Sequence, residues 1–218
     1  MRTTYHEELA KLGAELAGMA RTVDRAMRRA STALLDTDGE LADKVIAEDA
    51  EIDALRDMLD DQILDMLARQ QPVAIDLRTL VAGLRISGDL ERMGDLARHV
   101  AEVARRDRPT AMPPRLRDAV EKMSQVAHKL AGKVAAVLES RDAERALELD
   151  RDDDEMDLLQ DSLYRELLAG DWGEDVEVAM EATLVGRFYE RYADHAVAVA
   201  DRVAFLAGER GLDGQRLR

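Results

Sequence analysis

Proline stands at only four places in this chain, Pro72, Pro109, Pro113 and Pro114. A proline inside a helix removes a hydrogen bond and clashes with the preceding turn, so long proline-free intervals are where long helices can run. The intervals here are written in Ala, Leu, Glu, Arg and Met, all strong helix formers. Their apolar residues recur at steps of three and four, the spacing that puts them on one face of a helix. Leu9, Leu12, Leu16, Met19, Val23, Ala26 and Ala30 form one such stripe. Thr37-Asp38-Gly39 interrupts the pattern, and Leu41, Val45, Ile52, Leu55, Leu59, Ile63 and Met66 resume it. Gln70-Gln71-Pro72 ends that helix, and a third is expected from about Ala74 to Arg106. Arg108-Pro109-Thr110-Ala111-Met112-Pro113-Pro114 is a stiff, non-helical linker. Beyond it run the stripes Leu116 to Val137 and Met156, Leu159, Leu163, Leu167, then a turn at Gly170-Asp171-Trp172-Gly173. A last helix is expected from about Glu174 to Gly208.

Three helices, a linker and three helices read as a duplication. Glu48-Asp49-Ala50-Glu51-Ile52-Asp53-Ala54-Leu55 aligns with Asp152-Asp153-Asp154-Glu155-Met156-Asp157-Leu158-Leu159 at an offset of 104 residues. Leu90-Glu91-Arg92-Met93-Gly94-Asp95-Leu96-Ala97 aligns with Tyr189-Glu190-Arg191-Tyr192-Ala193-Asp194-His195-Ala196 at an offset of 99. A shorter turn in the second copy is the expected source of the difference. The expectation is therefore all-α: two tandem three-helix bundles forming an elongated molecule. Residues 1–107 make the first bundle, 108–114 the linker, 115–210 the second bundle, and 211–218 a frayed tail.

Composition narrows the function classes. The formal net charge of −15 repels phosphate backbones, which counts against nucleic acid as a partner. Cysteine is absent, which excludes disulfides, thiolate metal sites and cysteine nucleophiles. No apolar run reaches the roughly 18 residues of a membrane-spanning helix, and residues 1–8 lack the apolar core of a signal peptide. The expected location is the cytoplasm, without membrane insertion.

The repeated segments place acids in pairs at i, i+4, on one helix face: Asp49 with Asp53, Glu91 with Asp95, Asp153 with Asp157, and Glu190 with Asp194. The seam Leu77, Val81, Leu84, Gly88 leads by threes and fours onto Glu91 and Asp95, so acids are expected where core should be. Gly88 and Gly94 beside them leave room for an ion or a partner. Antiparallel helices could gather four carboxylates per copy, a charge that oxygen-preferring cations would offset. The other account of these residues is a solvated acidic face balanced by Arg92 and Arg191. A di-iron oxidase is disfavoured because none of His6, His99, His128 and His195 has a Glu three residues before it. His99 reads as polar surface, since its counterpart is Ala198. Arg78, Arg85 and Arg92, seven apart, read as a charged helix face. Trp172 reads as a cap on the local core. No phosphate-binding glycine loop, nucleophile elbow or HExxH motif occurs.

Gln70-Gln71-Pro72-Val73-Ala74-Ile75-Asp76-Leu77-Arg78, Asp89 to Asp95, and Glu190 to Ala196 together resemble the PhoU family, from about Tyr5 to Arg210. That resemblance implies a cytoplasmic, non-enzymatic, homodimeric helical regulator of phosphate homeostasis. It implies a negative regulator of phosphate uptake and starvation signalling, one that links the ATPase of a phosphate ABC transporter to a sensor histidine kinase. Iron or zinc binding in some members maps onto Asp49, Asp53, Glu91, Asp95, Asp153, Asp157, Glu190 and Asp194, where the metal expected here is Fe, Zn, Mg or Mn. Tyr192-Ala193 in place of Met93-Gly94 makes the second site bulkier. Two rivals stand beside this: a metal-dependent phosphate-ester or polyphosphate hydrolase, and a metal-free structural bundle.

Overall fold

The computed structural model describes residues 2–106, 112–169, 176–206 and 208. Among these residues there are seven helices: α1 Arg2–Asp36, α2 Gly39–Gln70, α3 Ile75–Ala104, α4 Pro114–Ser140, α5 Ala143–Leu147, α6 Leu149–Leu167 and α7 Val176–Leu206. The breaks between helices follow local chemistry. Thr37 takes a positive φ of 56°, and Asp38 then caps α2 by accepting from the Leu41 N–H at 2.9 Å. Gln71 closes α2 in the left-handed region, with Pro72 next. Pro114 opens α4 at a position whose N–H has no intrahelical partner anyway. Arg141, again left-handed, ends α4 and Asp142 caps α5.

Two sequence expectations are corrected. The middle helix of the second copy is split, because the chain turns at Glu148 between α5 and α6. The residues missing from that copy come out of this helix and not out of a turn: α2 continues to Gln70 after Asp53, whereas α6 stops at Leu167 after Asp157. The linker residues 108–111, the Gly170–Gly173 turn with Trp172, and the 211–218 tail lie outside the described residues.

The two copies share one continuous core. α1 packs on α4 and α3 on α7, both antiparallel, and these four helices form the centre. α2 lies in the outer groove of α1 and α3, while α6 lies in that of α4 and α7. Asp24 meets His128 at 2.7 Å, and these two residues occupy equivalent positions in the repeats, so a pseudo-twofold axis passes between them. The buried Ser31 hydroxyl bonds the Tyr189 hydroxyl at 2.6 Å across the same seam. Along α3 and α7, Asp89 meets His195 at 3.1 Å and Arg202 at 3.0 Å, and Arg106 meets Glu181 at 3.2 Å. Burial of the apolar stripes at about 25 cal/mol per Å² is the main stabilising term.

Candidate metal centres

The face of α3 that enters the core carries Leu80, Gly83, Ile86, Leu90, Met93, Ala97 and Val100. The predicted seam lies beside it: Leu77 is 42% and Val81 36% exposed, and Leu84 and Gly88 are half-buried. Acids at 91 and 95 therefore extend a partly exposed strip along α2 and do not replace core. Gly94 is not a space for an ion. A Cβ there would stand 2.9 Å from Ile52 Cδ1, so the glycine admits the Ile52 side chain where α2 and α3 touch. The corresponding residues of the second copy, Met156 and Ala193, are both fully buried, a flexible side chain and a small one.

In the first copy Asp49, Glu91 and Asp95 are half-buried and Asp53 is exposed. Arg98 sits among them. Its guanidinium bonds Asp49 at 2.8 Å and Asp95 at 3.1 Å, and also engages Glu102. Arg92 adds a bond to Asp95 at 2.8 Å. Burial raises the Asp49 carboxyl pKa above its ordinary value, and Arg98 opposes the rise. Burial also raises Glu91, opposed by Arg92 and reinforced by Asp95. Sequence reasoning named Arg92 as the counter-charge and missed Arg98. The signal was its spacing, three residues after Asp95 and four before Glu102, which puts all three on one face.

In the second copy Asp153 and Glu190 are half-buried, and Asp157 and Asp194 are exposed. Arg191, the expected counter-charge, is exposed and is not what pairs with the cluster; Arg187 engages Glu190 instead. The position equivalent to Arg98 is Val197, which packs against the core. Burial, together with Asp157, Asp194, Asp154 and Glu190, pushes Asp153 up to about 7. Burial and Asp194 raise Asp157 and Glu190 as well. Asp153 Oδ1 and Glu190 Oε2 are buried without a hydrogen-bond partner. Orphaned oxygens in a cluster of like charges suit an oxygen-preferring cation. Among the described residues no three His, Cys, Asp or Glu side chains already converge as an ion cage. The fit to a cation therefore lies in the donor set, with side-chain rotation needed to close it.

His99, expected as polar surface, is half-buried and stacks on Phe188 with ring centroids 5.2 Å apart. His195 points away from the acids to Asp89. Arg78 and Arg85 are exposed on α3, as is Arg92.

The fold and these clusters define a class: duplicated helical-bundle proteins that carry carboxylate clusters at matching places in each repeat. The family model "PhoU domain" matches residues 16–104 and 120–203, and the chain belongs to the PhoU family. It is 41% identical over 208 residues to the phosphate-specific transport system accessory protein PhoU homolog 2 of Mycobacterium tuberculosis, covering 95% of this chain and 98% of that protein. It is 40% identical over 207 residues to homolog 1 of the same organism, covering 94% of each. The crystal structure of PhoU from Pseudomonas aeruginosa superposes with a TM-score of 0.88 at 27% identity, over 94% of this chain and 100% of that one. The PhoU regulatory protein of Streptococcus pneumoniae, at 20% identity, shares the fold with a TM-score of 0.87 over 96% and 99% of the chains. No helix of the described residues is long and apolar enough to cross a membrane.

Proposed function

We propose that this protein is a cytoplasmic, non-enzymatic regulatory adaptor of phosphate homeostasis. It restrains phosphate uptake and starvation signalling by docking, as a homodimer, between the ATPase of a phosphate ABC transporter and a sensor histidine kinase. The observation that carries this reading is identity of about 40% along nearly the whole chain to accessory proteins of phosphate-specific transport. Exposed apolar side chains near the α2–α3 and α6–α7 hairpins, among them Leu77, Val81, Val176 and Met180, supply surface for such docking. A change of docked state would follow as a population shift set by which state a partner or ligand binds better.

The second cluster, Asp153, Asp157, Glu190 and Asp194, is the proposed cation site. A bound cation would hold α6 to α7 electrostatically, stiffening that side of the bundle. For the first cluster the metal-free reading is favoured, because Arg98 already holds Asp49 and Asp95. Pull-down of the transporter ATPase and the sensor kinase at high and low phosphate tests the adaptor, and no capture of either under any condition refutes it. Elemental analysis of gently purified protein tests the metal. Bound metal should disappear in Asp153→Asn/Asp194→Asn and persist in Asp49→Asn/Asp95→Asn.

A further inference from the structure

Away from the acidic clusters, the end of the bundle where α1, α3, α4 and α7 meet holds an open cleft of about 230 Å³. Its walls are apolar, with Leu12, Leu16, Ile86, Leu138 and Val203 among them, and its floor passes Gly83. At its mouth stands Arg141, held there by the left-handed turn that ends α4. One guanidinium nitrogen donates to the Leu9 carbonyl at 3.2 Å. That nitrogen also lies 3.4 Å from where a Cβ of Gly13 would be, so the glycine gives the side chain its place. No carboxylate of the described residues pairs with Arg141, although the chain carries 46 acids.

The pseudo-twofold supplies an internal control. The equivalent place in the other copy is lined by Leu116, Val120, Val178, Ala182 and Val185, the counterparts of Leu12, Leu16, Thr79, Gly83 and Ile86. It is nearly closed, at about 10 Å³. Ala182 replaces Gly83, and Met112 packs in from the chain before α4, whereas the Met112 counterpart, Glu8, turns to Arg69 at 3.4 Å. A carboxylate is also present there: Glu181 lines the space and pairs with Arg106. Its counterpart beside the open cleft is Ala82. One copy thus contains its own apolar filler and its own acid paired with an arginine. The other has the apolar walls with neither the filler nor the acid, and its arginine, Arg141, stands at a different position, the counterpart of Thr37.

We infer that the open cleft binds a straight-chain aliphatic monocarboxylate, its chain among the leucines and its head group on Arg141. A cleft of about 230 Å³ takes an aliphatic chain of several carbons. A charge-assisted bond from the Arg141 guanidinium to the carboxylate supplies the preference for an anion.

The test is calorimetric titration of the full chain with octanoate and decanoate below their micellar concentrations. 1-Octanol, octylammonium and acetate serve as controls. Saturable binding is expected for the two longer carboxylates alone. Arg141→Gln should weaken octanoate by about tenfold. Thr79→Phe, on the rim, should abolish binding while circular dichroism stays unchanged. Absence of saturable binding by either carboxylate overturns the inference, as does equal binding of octylammonium or indifference to both variants. Binding that emerges only after deletion of residues 209–218 also overturns it, assigning the cleft to the chain's own C-terminus.

Discussion

The two carboxylate clusters descend from one pattern yet meet opposite electrostatic fates. Both keep four acids at the same helical spacing. In the first, Arg98 reaches three of its neighbours' carboxylates, and the charge is settled within the protein. In the second, Val197 occupies the equivalent place and Asp153 is driven up to about 7 by burial and its acidic neighbours. The same contrast recurs at the bundle ends, where one copy closes its cleft with Met112 and Ala182 and the other leaves it open. Duplication has preserved the backbone and the acids, while single positions beside them decide whether the charge and the space are filled from within the protein.

Removing the arginine strikes hardest at this contrast. Arg98→Met keeps the aliphatic stem but leaves the half-buried Asp49 without its counter-charge and Asp95 with Arg92 alone, and should cost about 3 kcal/mol at neutral pH in urea unfolding. An effect near zero would make the two clusters equivalent. Next comes the cation itself. Manganese or zinc at about a hundredfold over its dissociation constant should stabilise the protein by about 2.7 kcal/mol in thermal unfolding. The gain should vanish in Asp153→Asn/Asp194→Asn and in Val197→Arg, which copies the first cluster onto the second. Persistence in Val197→Arg would mean that the guanidinium is not what separates the copies.

The titration of Asp153 gives a smaller effect with a definite sign. Its carboxyl titrates near 7 in the folded chain and near its ordinary 3.8 when unfolded. Between those values the folded state holds a proton that the unfolded state releases. Metal-free protein therefore loses stability as pH rises through that window and is level above it. Asp153→Asn should remove this loss, gaining about 1–2 kcal/mol at pH 8 after allowing for solvent screening and almost nothing at pH 4. A wild-type stability profile that is flat from pH 5 to 8 would contradict the second cluster's description. Last is the packing beneath the clusters. Gly94→Ala should cost about 1 kcal/mol by crowding Ile52, and Ile52→Met in the same chain should recover most of it, because that pair reproduces Met156 and Ala193.

Much of this was legible in the residues. Four prolines and stripes at steps of three and four predicted the long helices, and the repeated acidic segments predicted the duplication. The middle helix of the second copy deceived, because a helical composition runs through Glu148, where Asp142 caps only the short α5 before the chain turns. The seam through Leu77 and Val81 deceived for a related reason. A period of three or four marks a face but not its partner, and two neighbouring faces of α3 both carry apolar residues. The counterpart Ala198 marks His99 as surface, but Phe188, which stacks on it, lies in the other repeat, beyond the reach of any local pattern.

Local interactions act over a few residues, so order along the chain was enough to specify helices, caps, the repeat and the candidate acids. Which charges meet was another matter. Arg98 lies close to Asp95 in the chain but far from Asp49, and only the packing of α3 on α2 joins them. Arg141 lines an open cleft only because α1, α3, α4 and α7 converge there. Desolvation and ion pairing depend on distances across helices, and those distances exist only once the helices have been brought together.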